Sequence, residues 1–161
     1  MSTTATTTTT ARTAESVRVW RDLMVVHAGI LAELADALER DHQLSVSEFD
    51  VLVTLDPTEP MRHGDLADRV ILSRTALTRL VDRLVGCGLV ERLPDPRDQR
   101  AVRIGLTDAG RATRRAAART NARVVRARFG VLDPTDLATL DALLRRLRGI
   151  PNEPHNEGDR P

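Results

Sequence analysis

Five polar side chains between residues 74 and 82 are spaced to share one face of a helix. Arg74, Thr78 and Asp82 recur at four-residue steps, as do Thr75 and Arg79. A guanidinium can donate two parallel hydrogen bonds to guanine, and threonine can offer a methyl to thymine or a hydroxyl to phosphate. Ser73 stands just before them; it suits a helix N-cap, and the N–H groups of a helix start can hold a phosphate. A second group, Asp95, Arg97, Asp98 and Arg100, falls in a turn-rich stretch. Arg62, Arg92 and Arg103 are further phosphate-contact candidates. The chemistry on offer is recognition of a polyanion rather than bond making. The plainer readings of the same residues are a solvated helix face and a polar hairpin tip held by Asp98–Arg100 pairing.

Other chemistries are poorly served. His27, His42, His63 and His155 are far apart and show no His-x-x-x-His or His-Glu-x-x-His spacing. The single cysteine, Cys87, excludes an intramolecular disulfide framework and a multi-cysteine metal site. No nucleophile–base–acid set can be named, and Gly86-Cys87-Gly88 reads as a helix terminus rather than a phosphate loop. The expectation is no catalytic residue, no metal site and no cofactor, although a metal at a dimer interface stays open.

Charge along the chain supports the polyanion reading. All 24 basic residues are arginine; the net charge of +1 hides their distribution. Residues 61–128 hold sixteen arginines against seven acids, residues 1–60 four against ten, and residues 129–161 four against six. A GC-rich genome explains arginine in place of lysine, but not this crowding into the middle.

These groups need elements to position them. With no tyrosine, two phenylalanines and one tryptophan, the core must be aliphatic, which suits helices packed on helices. Residues 1–14, with eight threonines, read as a disordered tail and lack the apolar stretch of a secretory signal; residues 150–161 read as a second tail. A first helix is predicted from about Glu15 to His42. In it Val17, Trp20, Met24, His27, Leu31, Leu34 and Leu38 alternate steps of three and four. A second helix begins near Ser45/Ser47, with Ser47 and Asp50 arranged like a capping box. A third covers about Gly64–Val70. A fourth starts after Ser73, buries Leu77, Leu80, Val81, Leu84 and Val85, and ends at Gly86 and Gly88. Residues 89–93 and 100–106 read as a hairpin around the 94–99 turn. Thr107 then caps a helix over about Asp108–Phe129, and Pro134 opens a last one to Gly149 with Leu137, Leu140, Leu144 and Leu147 in a second stripe. The helix-5 arginines (111, 114, 115, 119, 123, 126, 128) circle too much of the helix to form one face, so several are expected to pair with acids of helices 1 and 2. The fold class is mainly α with a small β-hairpin wing: a winged helix-turn-helix lobe over about 45–107, within one domain over 15–149, flanked by helical regions over about 15–42 and 109–149.

Leu72 to Leu84 resembles the recognition helix of the MarR family of bacterial transcriptional regulators. Gly88-Leu89-Val90-Glu91-Arg92, Asp95 to Ala101, and Leu106 to Arg111 resemble that family's wing and the start of its next helix. The resemblance is detailed over 63–111 and holds in helix order over 15–149. It implies a cytoplasmic homodimer, with the terminal helices as the dimerisation region, that binds a pseudo-palindromic operator in double-stranded DNA and is released by a small ligand or an oxidant. It implies no enzymatic activity and no membrane. The DNA-contacting residues would be Ser73, Arg74, Thr75, Thr78, Arg79, Arg97, Asp98 and Arg100, with Arg100 in the minor groove and Asp98 orienting it. Trp20, Met24 and His27 share a helix face and could line a site for a small aromatic or carboxylate effector; equally they are dimer-interface residues. The rival readings are a winged-helix module that binds protein, and a thiol redox sensor acting through Cys87. The family's thiol sensors carry their cysteine on the first helix, where this chain has none.

Overall fold

A computed structural model describes residues 3–149; for residues 3–12, Gln99 and Arg100 it describes the backbone only. The expected tail at 150–161 lies outside the described residues. The chain divides into two compact units, Met1–Val124 and Val125–Pro161.

In the first unit the order is α1 (Thr3–His42), α2 (Val46–Thr54), β1 (Met61–Arg62), α3 (His63–Ala67), α4 (Arg74–Gly86), β2 (Val90–Asp95), β3 (Asp98–Leu106) and most of α5 (Asp108–Phe129). The second unit holds the end of α5 and α6 (Pro134–Leu147). Helical backbone begins at Thr3, ahead of the expected start near Glu15. Once a helix is nucleated, each further residue adds a hydrogen bond for little entropy, so even a threonine run can continue it.

The core is aliphatic, as composition requires. Leu38, Val51, Leu52, Leu55, Leu66, Leu77, Val81, Leu84, Val90 and Ile104 are fully or almost fully buried. They gather the C-terminal end of α1, the inner faces of α2, α3 and α4, and the sheet into one cluster with Ala117 of α5. The α1 stripe is divided. Leu34 and Leu38 are buried, whereas Val17, Trp20, Met24 and Leu31 remain exposed, Trp20 by 60%. Along α6 Leu137, Leu143, Leu144 and Leu147 are exposed, and that helix has no buried residue.

Three local details differ from the sequence reading. The cap of α2 is Ser45, not Ser47. Its hydroxyl accepts from Glu48 N–H at 3.2 Å, while Glu48 Oε2 accepts from the Ser45 N–H at 2.8 Å. Ser45-x-x-Glu48 satisfies the reciprocal geometry, and the shorter Asp50 is not needed. The hairpin is part of a three-stranded antiparallel sheet in the order β1-β3-β2, with Met61 opposite Ile104 and Arg62 opposite Arg103. The strands also run closer to the tip than expected, with Asp95 opposite Asp98. The end of α4 follows expectation: Cys87 is the C-cap and Gly88 adopts φ +70°, a conformation that favours glycine.

Candidate nucleic-acid interface

The fourth helix separates its two faces cleanly. Leu77, Val81 and Leu84 have no exposed surface, while Arg74, Thr75, Thr78, Arg79 and Asp82 are exposed. Ser73 caps the helix, its hydroxyl accepting from Ala76 N–H at 3.2 Å. Thr78 donates its hydroxyl proton to the Arg74 carbonyl at 3.0 Å, which leaves a methyl and an oxygen lone pair for a partner. Beside this face, in the turn before the helix, Ile71 is 99% exposed. A β-branched apolar side chain held out in water was not singled out from the sequence, because periodicity says nothing about a three-residue turn.

The wing stands next to that face. Arg92 of β2 pairs with Asp82 of α4 at 2.7 Å, joining recognition helix to wing strand. At the tip, Arg97 and Asp98 are exposed. Arg100 lies at the tip end of β3, and its side chain is outside the described residues. The helix face and wing therefore bring together Ser73, Arg74, Thr75, Thr78, Arg79, Arg97 and Asp98 within one lobe.

Arg62 and Arg103, the phosphate-contact candidates of β1 and β3, have a partner within the lobe. Both direct Nε to Asp95 Oδ2, at 2.7 and 3.0 Å. The Asp95 side chain is fully buried, and its Oδ1 accepts from the Arg97 N–H at 2.8 Å. A buried carboxylate must be paired, and these three donors do so. Sequence marked Asp95 only as turn chemistry; the partners come from a two-residue strand too short to show a period. Likewise unforeseen, Arg83 of α4 donates to the buried Glu48 of α2 at 2.6 Å, locking the recognition helix to the cap of α2.

Of the α5 arginines, Arg123 reaches Asp41 of α1 at 2.7 Å, as expected, and His42 Nε2 lies 2.9 Å from Thr120 Oγ1 alongside it. Arg111 instead pairs with Asp108 of its own helix, and Arg114 lies 3.4 Å from the Val53 carbonyl of α2.

The carboxylates carry the electrostatic signature. Arg62, the Arg97 N–H and Arg103 hold the Asp95 carboxyl far below the usual range. The N–H groups of Thr58 and Glu59, then the Thr58 hydroxyl, lower that of Asp56, and Arg111 lowers that of Asp108. Unfolded aspartate titrates near pH 4, so these groups contribute stability above about pH 4 and lose it as pH falls toward their folded values. A melting temperature that falls between about pH 5 and pH 3, and falls less in Asp95→Asn, is the expected result. A melting temperature flat across that range contradicts the pairing.

Trp20, Met24 and His27 are all exposed on α1. A cleft of about 460 Å³ lies elsewhere, lined by Glu39, His42, Leu44, Arg83, Cys87 and Thr113 among others. Cys87 is exposed. Among the described residues no group of three His, Cys, Asp or Glu side chains is placed to hold a metal, and no described helix is long and apolar enough to cross a membrane.

A helix-turn-helix whose second helix turns a polar, arginine-bearing face outward beside a three-stranded wing defines the winged helix-turn-helix class. Residues 44–102 match the sequence pattern of the MarR family. The multiple antibiotic resistance protein MarR of Escherichia coli K12 is 38% identical over 69 residues, 43% of this chain and 48% of that protein, so the match spans about half of that relative's length. Sco3205 of Streptomyces coelicolor, a MarR family transcriptional regulator solved in complex with DNA, superposes with a TM-score of 0.75 at 29% identity, covering 84% of this chain and 86% of that one. AbsC, a MarR family regulator of the same organism, gives 0.72 at 29% identity over 81% and 90%. These matches make the chain similar to MarR family proteins in sequence over residues 44–102, and in fold to MarR family transcriptional regulators over most of its length.

Proposed function

We propose that this chain is a sequence-specific DNA-binding transcriptional regulator, a cytoplasmic homodimer that represses from a pseudo-palindromic operator and is released by a small molecule. The observation that carries the reading is the division of α4, whose Leu77, Val81 and Leu84 are wholly buried while Arg74, Thr75, Thr78 and Arg79 face water beside the wing. That Sco3205 is solved with DNA supports it. In this reading the face of α4 enters the major groove, Arg97 and Arg100 approach the minor groove with Asp98 beside them, and the Ser73 end of the helix meets a phosphate. The exposed apolar residues of α1 and α6 support a second copy as partner, since apolar surface left in water by one chain is covered by another. The effector seat is either the α1 face of Trp20, Met24 and His27, completed by the second copy, or the cleft beside His42 and Arg83, whose volume suits a small molecule.

Selection from a random-sequence duplex pool tests the reading. An enriched inverted repeat with half-sites about one helical turn apart is expected, because a two-fold dimer presents two recognition helices at that spacing. A pool that gains no motif contradicts it.

A further inference from the structure

The wing is built round one buried carboxylate. Asp95 ends β2, and its two oxygens do different work. Oδ1 accepts the Arg97 N–H at 2.8 Å and so folds Asp95-Pro96-Arg97-Asp98 into an Asx-type turn. This fixes the backbone from which Arg97 projects. Oδ2 accepts from Arg62 Nε at 2.7 Å and Arg103 Nε at 3.0 Å, which ties the turn back to β1 and to the middle of β3. Arg62 and Arg103 are cross-strand neighbours, and like charges directly opposite repel unless an anion lies between them. The pairing of β2 with β3 also slips between Pro94 and Asp95, an irregularity of the kind that re-aims a strand end. A loop tip that needed only solubility would not require a fully buried aspartate with three donors from three different parts of the lobe.

We propose that Asp95 is the positioning residue of the wing: through one oxygen it shapes the turn that carries Arg97 to DNA, and through the other it anchors that turn to the body of the sheet. The proposal rests on the DNA-binding reading. It assigns the aiming of Arg97 to Asp95, a residue that does not itself touch the nucleic acid. Asp95→Asn keeps the shape and one turn-forming oxygen but presents an uncharged group to two guanidiniums. Arg62→Leu cuts one strand of the anchor and leaves the turn intact.

The test is a double-substitution cycle on the duplex that the wild-type protein selects from a random pool. Dissociation constants are measured by fluorescence anisotropy at two salt concentrations, with folding verified by circular dichroism. In the wild-type background Arg97→Ala is expected to weaken binding by about fivefold or more. In the Asp95→Asn background the same change is expected to alter it by less than about twofold, because a side chain that is no longer aimed has nothing to lose. Arg62→Leu is expected to reduce the Arg97 effect in the same direction, and it decides the matter if Asp95→Asn does not fold. An Arg97→Ala factor that is the same in all three backgrounds overturns the proposal, since a residue that only stabilises the fold leaves the cycle additive. So does an Arg97→Ala protein that binds like wild type. If the wild-type protein selects no duplex, the DNA-binding reading itself fails, and that is seen before any variant is made.

Discussion

Replacing Arg74 and Arg79 together with alanine is expected to abolish discrimination between the selected duplex and a scrambled one while leaving the protein folded. Both side chains are exposed on α4, and the helix is held by the opposite face, where Leu77, Val81 and Leu84 are wholly buried. Surface changes of this kind usually alter stability by no more than about 0.5 kcal/mol. A bidentate arginine–guanine contact discriminates by about 1–3 kcal/mol, so two of them set a preference of about 2–6 kcal/mol. The ratio of dissociation constants for the two duplexes, with the melting temperature alongside, gives the answer. If both duplexes weaken by the same factor, the arginines hold phosphates and base readout belongs to Thr75, Thr78 or the wing.

The largest effect on folding is expected from Gly110→Ala. A methyl group at Gly110 would lie 1.8 Å from the Leu89 carbonyl oxygen and 2.9 Å from its carbon. Both obstacles are backbone, and a Cβ has no rotamer to escape into. The same carbonyl accepts the Thr107 N–H at 3.1 Å and lies 3.2 Å from the Thr107 hydroxyl, so it cannot swing away without losing the bonds that hold Thr107 at the start of α5. The first turn of α5 must lift or β2 must shift. The expected loss is about 3 kcal/mol, at the upper end for overpacking a tight contact. A fall in the denaturant midpoint checks it; an unchanged midpoint would mean that α5 does not rest on Leu89.

Much of the lobe was legible because its signals are local. Ser73 as cap, the inward spacing of Leu77, Val81 and Leu84, and the stop at Gly88 each follow from a few neighbouring residues. The candidate face was legible for the same reason, since it is the complement of the buried one. What escaped is long-range. β1 has two residues and no pattern of its own; it exists because Met61 and Arg62 find Ile104 and Arg103 some forty residues on. The roles of Asp95 and Glu48 depend on arginines brought from other elements, and spacing cannot reveal such partners. Ser45 could have been preferred to Ser47 from sequence, because Glu48 completes the capping box and Asp50 is too short to be its usual partner. The heptad-like stripe of α1 marks an apolar face but not what covers it: the core covers only Leu34 and Leu38, and its outer part stays exposed.

The outward face of α4 and the wing are proposed to bind DNA through its phosphates and base edges, and salt is the direct probe. Each neutralised phosphate releases a counterion, so the logarithm of the binding constant falls by about 0.9 per contact with the logarithm of salt concentration. For a dimer making six or more contacts, binding to the selected duplex is predicted to weaken by about a thousandfold or more between 50 and 200 mM salt. Binding that stays level across that range would rule out a phosphate-based interface and point instead to a protein partner for the same face.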